Sequence, residues 1–146
     1  MAHPNLVIAR YRDGTLIKGV TYDFGRDKRS FHVHVLTGGE KGIEEVFISD
    51  LKAVFFVRDL AGFPEYREKR EFPLQTKGFK IKIEFFDGET LVGITTGYST
   101  EKEGFWVFPA DLKSNNLRIY VVGKSVKRVE KIGFFEREEE EEDLIG

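Results

Sequence analysis

Residues 10–24, RYRDGTLIKGVTYDF, recur at residues 84–98 as EFFDGETLVGITTGY, at a constant offset of 74. Tyr11 corresponds to Phe85, Asp13 to Asp87, Gly14 to Gly88, Gly19 to Gly93, Thr21 to Thr95 and Phe24 to Tyr98. The match continues from Phe31 and Val33 to Phe105 and Val107. Whatever the first copy folds into, the second is expected to fold into as well. A unit of roughly 60 residues buries too little surface to be secure alone, so the two copies are expected to pack together.

Each copy reads as short strands separated by turns. Residues 6–12 form a strand that stops at Asp13-Gly14, a pair that supplies the positive φ angles of a tight hairpin. The return strand contains Gly19, and a glycine inside a strand marks a bulge or bend. Phe31, Val33 and Val35 share one face of the next strand, with His32 and His34 on the other. Residues 45–48, a tight turn near residues 49–51 and a last strand at 52–58 complete the unit. The second copy repeats this with strands at 79–86, 89–98, 104–109 and 117–122. Its closing segment is 125–132, with Val126, Val129 and Ile132 facing inward. The fold expected is all-β: two tandem five-stranded small barrels with bent strands, packed together. The domains expected are a first barrel at 1–58, a charged connector at 59–77, a second barrel at 78–135 and an acidic tail at 136–146. The middle of the connector, PEYREKRE, fits either two helical turns or a solvated linker.

The segment VIARYRDGTLIKGVTYDF resembles the first signature of the Sm and Sm-like barrels: an apolar strand, an Asp-Gly turn, a glycine five positions on and an aromatic end. The second copy, with FFDGETLVGITTGY, GFWVFPAD and SNNLRIYVV, resembles an uncharacterised bacterial domain family found alone and beside signalling modules. FISDLKAVFFVRDL in the first copy is typical of that family too. The resemblance covers about 110 of the 146 residues. It implies a bent five-stranded barrel of Sm or SH3 type and no reaction. The base-holding Asn of Sm-like RNA binders has no counterpart in GRDKRS or STEKEG. Their Arg-Gly-like pair is replaced by SDL and GKS, so neither part of an RNA pocket carries over.

Composition excludes several classes. With no cysteine there is no disulfide framework, thiolate nucleophile or cysteine-ligated zinc. The longest apolar run, residues 53–57, is far short of a membrane span. No signal-peptide hydrophobic region opens the chain, so a cytoplasmic location is expected. One-third charged residues with a single Met fit a heat-adapted organism. The net charge of −2 hides an asymmetry: residues 136–143 carry seven acids and one base, leaving 22 basic and 18 acidic residues elsewhere. A mildly basic body thus precedes a strongly acidic tail.

No set of residues amounts to an active site, so no enzyme, cofactor or metal is expected. Asp13 and Asp87 resemble paired carboxylates, but their turns account for both. His32 and His34 could supply half a metal site, yet no third ligand is nominated. Gly38, Gly39 and Gly42 lack the Lys-Ser/Thr pair of a phosphate loop. The candidate binding residues are Arg26, Lys28 and Arg29 in one loop, and Ser114, Asn115, Asn116 and Arg118 in another. For Ser114, Asn115 and Asn116 the favoured reading is a loop bonded to its own backbone. Arg67, Lys69 and Arg70 lie near Tyr66 and Phe72, a pairing of cations and rings suited to single-stranded nucleic acid. Interleaved acids there make a salt-bridged surface the favoured reading. Phe55 with Phe56, and Phe134 with Phe135, are adjacent pairs whose rings must point to opposite faces of a strand. One ring of each pair therefore leaves its own core, and burial between the two units or between protomers is expected. The leading functional expectation is a non-enzymatic adaptor for protein partners in bacterial regulation, with self-association included. Single-stranded RNA binding is the alternative, with no membrane role.

Overall fold

The computed structural model describes residues 4–25, 27–37, 42–62, 78–99, 102–111 and 113–134. The strands are β1 (Asn5–Tyr11), β2 (Leu16–Thr21), β3 (Ser30–Thr37), β4 (Gly42–Phe47) and β5 (Leu51–Val57). They continue with β6 (Phe79–Phe85), β7 (Thr90–Thr95), β8 (Gly104–Pro109), β9 (Asn116–Val122) and β10 (Val126–Phe134). Single 3₁₀ turns, Ile48–Asp50 and Gly123–Ser125, precede β5 and β10. The all-β expectation holds. Where the sequence suggested two tandem barrels packed together, the strands form one open antiparallel sheet in the order β10-β6-β7-β8-β9-β5-β1-β2-β3-β4. The halves meet in the β5·β9 ladder, a pairing that no local sequence pattern specifies, and most of the expected connector, residues 63–77, lies outside the described residues.

The Asp-Gly turns are built alike, with a correction. Only the glycines take positive φ, +97° at Gly14 and +93° at Gly88. Asp13 accepts hydrogen bonds from the amide and hydroxyl of Thr15, and Asp87 accepts one from the Glu89 amide. The aspartate shapes the turn through its side chain while the glycine supplies the left-handed backbone. Gly19 and Gly93 serve close approach. A Cβ on Gly19 would stand 2.1 Å from the His34 carbonyl oxygen, and one on Gly93 would stand 2.6 Å from that of Phe108. At Gly19 the β2·β3 register also shifts.

Two hydrophobic cores lie along the sheet. One gathers Val7, Ala9, Phe31, Val33, Val35, Val46, Ile48, Leu51, Val54 and Phe56. The other gathers Ile81, Ile83, Phe85, Phe105, Val107 and Val126. β5 and β9 serve both. Val54 and Phe56 enter the first core while Ala53 enters the second; Tyr120 and Val122 enter the first while Ile119 and Val121 enter the second. Both faces of these strands are covered, so they lack the polar alternation of β3. Ile132 departs from expectation. The β10 register shifts between Lys131 and Gly133, and Ile132 is exposed. A bulge rotates later side chains off their alternating face.

Candidate functional site

The junction of the halves is an aromatic cluster clamped by an arginine. In the β5·β9 ladder Ala53 faces Val121, Val54 faces Tyr120, Phe55 faces Ile119 and Phe56 faces Arg118. On the first-core side, Phe24 packs edge-on against Phe31, Phe56, Trp106 and Tyr120, with ring centroids 5.0 to 5.8 Å apart. The Arg118 guanidinium lies 4.5 Å from the Phe56 ring centre and 4.4 Å from that of Trp106. A partly desolvated cation on two ring faces is held by the ring quadrupoles. Burial lowers the Arg118 pKa from its ordinary value. Trp106 and Arg118 come from the second half, Phe24 and Phe56 from the first, so the cluster is a splice between them.

The loop ahead of β9 clasps the end of β5. Asn115 accepts from the Asp59 amide and donates to the Asp59 carbonyl, both at 3.0 Å. The Asn115 carbonyl takes the Arg58 amide, and the Ser114 carbonyl takes Arg58 Nε. The Ser114 hydroxyl accepts the Asn116 amide. Ser114 and Asn115 thus spend polar groups on the chain itself.

The edge of the junction at the Asp87 turn opens into a cleft of about 280 Å³ lined by Arg12, Lys52, Phe85, Phe86, Asp87, Lys124 and Ser125. Lys52 is nearly buried, 4.5 Å over the Phe85 ring. Its ammonium donates to Asp87 at 2.7 Å and to Glu89. The Lys52 bond, then the Glu89 amide, hold the Asp87 carboxyl below its ordinary pKa. The Ser125 hydroxyl donates to the Lys52 carbonyl at 2.9 Å, tying the second 3₁₀ turn to β5.

Among the described residues, β4 and β10 end the sheet and neither pairs on its outer side. β4 exposes Ile43, Glu44, Glu45 and Phe47, with Ile43 62% and Phe47 46% accessible. β10 exposes Lys127, Arg128, Glu130, Lys131 and Ile132. One edge is acidic and apolar, the other mainly basic. An unpaired edge with exposed apolar side chains is a template for another strand.

A family model described as a family of unknown function (DUF6982) matches residues 3–133. The chain belongs to DUF6982. The match spans both halves and all but the last residue of β10. No curated protein and no solved structure matches the chain.

In this DUF6982 chain the residues nominated by sequence are scattered. Lys28 folds back on its own loop and donates to the Asp23 carbonyl, and Arg29 is exposed in the same loop. Arg26 lies outside the described residues, as do Tyr66, Arg67, Lys69, Arg70, Phe72 and Phe135. Phe134 ends β10 opposite Phe79. Phe56 is buried in the first core, while Phe55 packs against the second with the Arg10 guanidinium 5.6 Å from its ring. His32 pairs through Nδ1 with Asp23 at 2.8 Å, and His34 meets the Tyr22 ring edge-on. Partial burial pushes the Asp23 pKa up, but bonds from the His32 amide and ring and from Thr21 outweigh it and lower the pKa. Among the described residues no three His, Asp or Glu side chains are grouped to hold a metal, and no helix is long and apolar enough to cross a membrane. Sequence reading missed Lys52, Trp106 and the role of Arg118. Their signal was the apolar character of residues 53–57 and 119–122, which leaves no polar face.

Proposed function

We propose that this chain is a non-enzymatic protein-interaction module that accepts an extended partner strand on a free edge of its sheet, acting as an adaptor in bacterial regulation. Strand order supports reading each half as a small barrel of Sm or SH3 type, at residues 1–58 and 78–135. The order β5-β1-β2-β3-β4 of the first half recurs as β10-β6-β7-β8-β9 in the second. The observation that carries the functional reading is β4, an edge strand with Ile43 and Phe47 exposed beside a backbone ladder that no described residue pairs with. Main-chain bonds along such an edge supply affinity, and alternate side chains supply choice of partner.

Peptide-display selection against the full chain tests this, followed by amide resonance mapping with the selected peptides. Extended peptides are expected to move the amides of residues 43–47 and to lose binding to Ile43→Lys. Ligands that leave those amides unmoved would overturn the reading. Binding confined to single-stranded oligonucleotides, and steeply weakened by salt, would replace it with nucleic-acid recognition.

A further inference from the structure

Among the described residues the edges left open are those of β4 and β10, the counterparts of the strands that pair inside the chain. Phe31 faces Val46 as Phe105 faces Val121, which places β4 in register with β9 at an offset of 75. Ala9 faces Val54 as Ile83 faces Val129, which places β5 in register with β10 at the same offset. The β5·β9 ladder therefore shows how a β10-like strand receives a β4-like one. We infer that β10 of one chain pairs antiparallel with β4 of a second copy, repeating the internal junction between molecules. This names the partner for the edge described above and rests on that reading.

Transferring the internal register sets each opposed pair. Arg128 faces Val46, Val129 faces Glu45, Glu130 faces Glu44 and Lys131 faces Ile43, as Ala53, Val54, Phe55 and Phe56 face Val121, Tyr120, Ile119 and Arg118. Charge selects this pairing. The exposed part of β4 carries Glu44 and Glu45, and that of β10 carries Lys127, Arg128 and Lys131 against Glu130. Two β4 edges repel each other, as do two β10 edges, while the mixed pair attracts. The one like pair, Glu44 with Glu130, has Arg128 two residues along on the same face. Phe47, 46% exposed, corresponds to Val122, which the internal junction buries fully. Because the two edges differ, the contact is heterologous, and each added chain presents a fresh edge. Assembly runs past a dimer into a closed ring or an open filament.

The chain has no cysteine, so a Glu44→Cys/Glu130→Cys variant reports this register cleanly. Opposed residues in an antiparallel pair have Cα atoms about 4.5–5.5 Å apart, within disulfide range. Both sites are exposed, and circular dichroism checks the fold. Mild oxidation is expected to give a ladder of linked chains on a non-reducing gel. A Glu44→Cys/Lys127→Cys control, with its cysteines out of register and on opposite faces, is expected to give none. Light scattering of the unmodified full chain is expected to show mass above a dimer, falling toward one chain in Glu44→Lys/Glu45→Lys. A monomer at all concentrations, or equal linking in both cysteine variants, would overturn self-pairing. The edge reading itself stands or falls separately, on whether selected peptides move the β4 amides.

Discussion

Replacing the two carboxylates that face Lys52 is expected to harm this protein more than replacing Lys52 itself. The lysine side chain is 6% exposed, whereas those of Asp87 and Glu89 are 50% and 58% exposed. Asp87→Asn with Glu89→Gln leaves an ammonium in a nearly dry position without countercharge. Stripping the partner from a fully buried charge costs about 3–5 kcal/mol. The cleft is open to solvent on the carboxylate side, so screening reduces this to roughly 1–3 kcal/mol. The Asn side-chain oxygen at 87 still accepts the backbone N–H of residue 89, so the turn survives. Lys52→Met removes the buried charge and keeps an apolar stem over Phe85, while the carboxylates stay hydrated. Its cost is about 1 kcal/mol or less. Urea unfolding of the two variants and their combination gives both costs and their coupling. In the triple variant most of the carboxylate penalty disappears, because no ammonium remains to be stranded. A Lys52→Met loss equal to or larger than that of the double carboxylate variant would refute the reasoning.

The same ion pair sets a pH dependence. The folded Asp87 carboxyl is held below its ordinary pKa, so its stabilisation is present above about pH 4 and is lost as pH falls through the folded value. Unfolding free energy measured across that acid window is expected to fall less steeply in Asp87→Asn, and an unchanged slope would count against the pairing. Gly93→Ala is expected to destabilise by about 3 kcal/mol, since its Cβ would stand 2.6 Å from the Phe108 carbonyl oxygen, and the Val107 side chain is closer still. Thermal unfolding checks it, and a neutral result would show that β7 and β8 are not so close. Arg118→Ala is expected to cost roughly 1–2 kcal/mol and to shift the emission of Trp106, the protein's single tryptophan. An unchanged spectrum and midpoint would remove the arginine from the cluster.

Much of the local structure could be read from the chain because its determinants are local. The Asp-Gly turns, the inward Phe31-Val33-Val35 face and the 3₁₀ turn before β5 follow from turn chemistry and a period of two. The pairing of β5 with β9 does not, because it joins residues such as Phe55 and Ile119 that lie far apart in the chain. Its trace was present as loss of alternation: Ala53, Val54, Phe55 and Phe56 run without a polar residue because each face meets a different core. The Asn115 loop shows the reverse limit. Ser, Asn and Asn beside an Arg favoured self-capping over ligand recognition, but the sequence named no partner, and the Asp59 and Arg58 backbones are what engage Asn115. Arg118 read as a binding residue of that loop, and the rings of Phe56 and Trp106 that hold it come from opposite halves of the sequence.

Residue-resolved amide hydrogen exchange tests most directly whether one sheet unites the two cores. If β5 and β9 are its shared spine, the slowest amides of β5, β9, β1 and β6 exchange with one common opening free energy, that of global unfolding. Two distinct opening energies, one for each half, with β5 and β9 amides exchanging faster than those of β1 and β6, would contradict it.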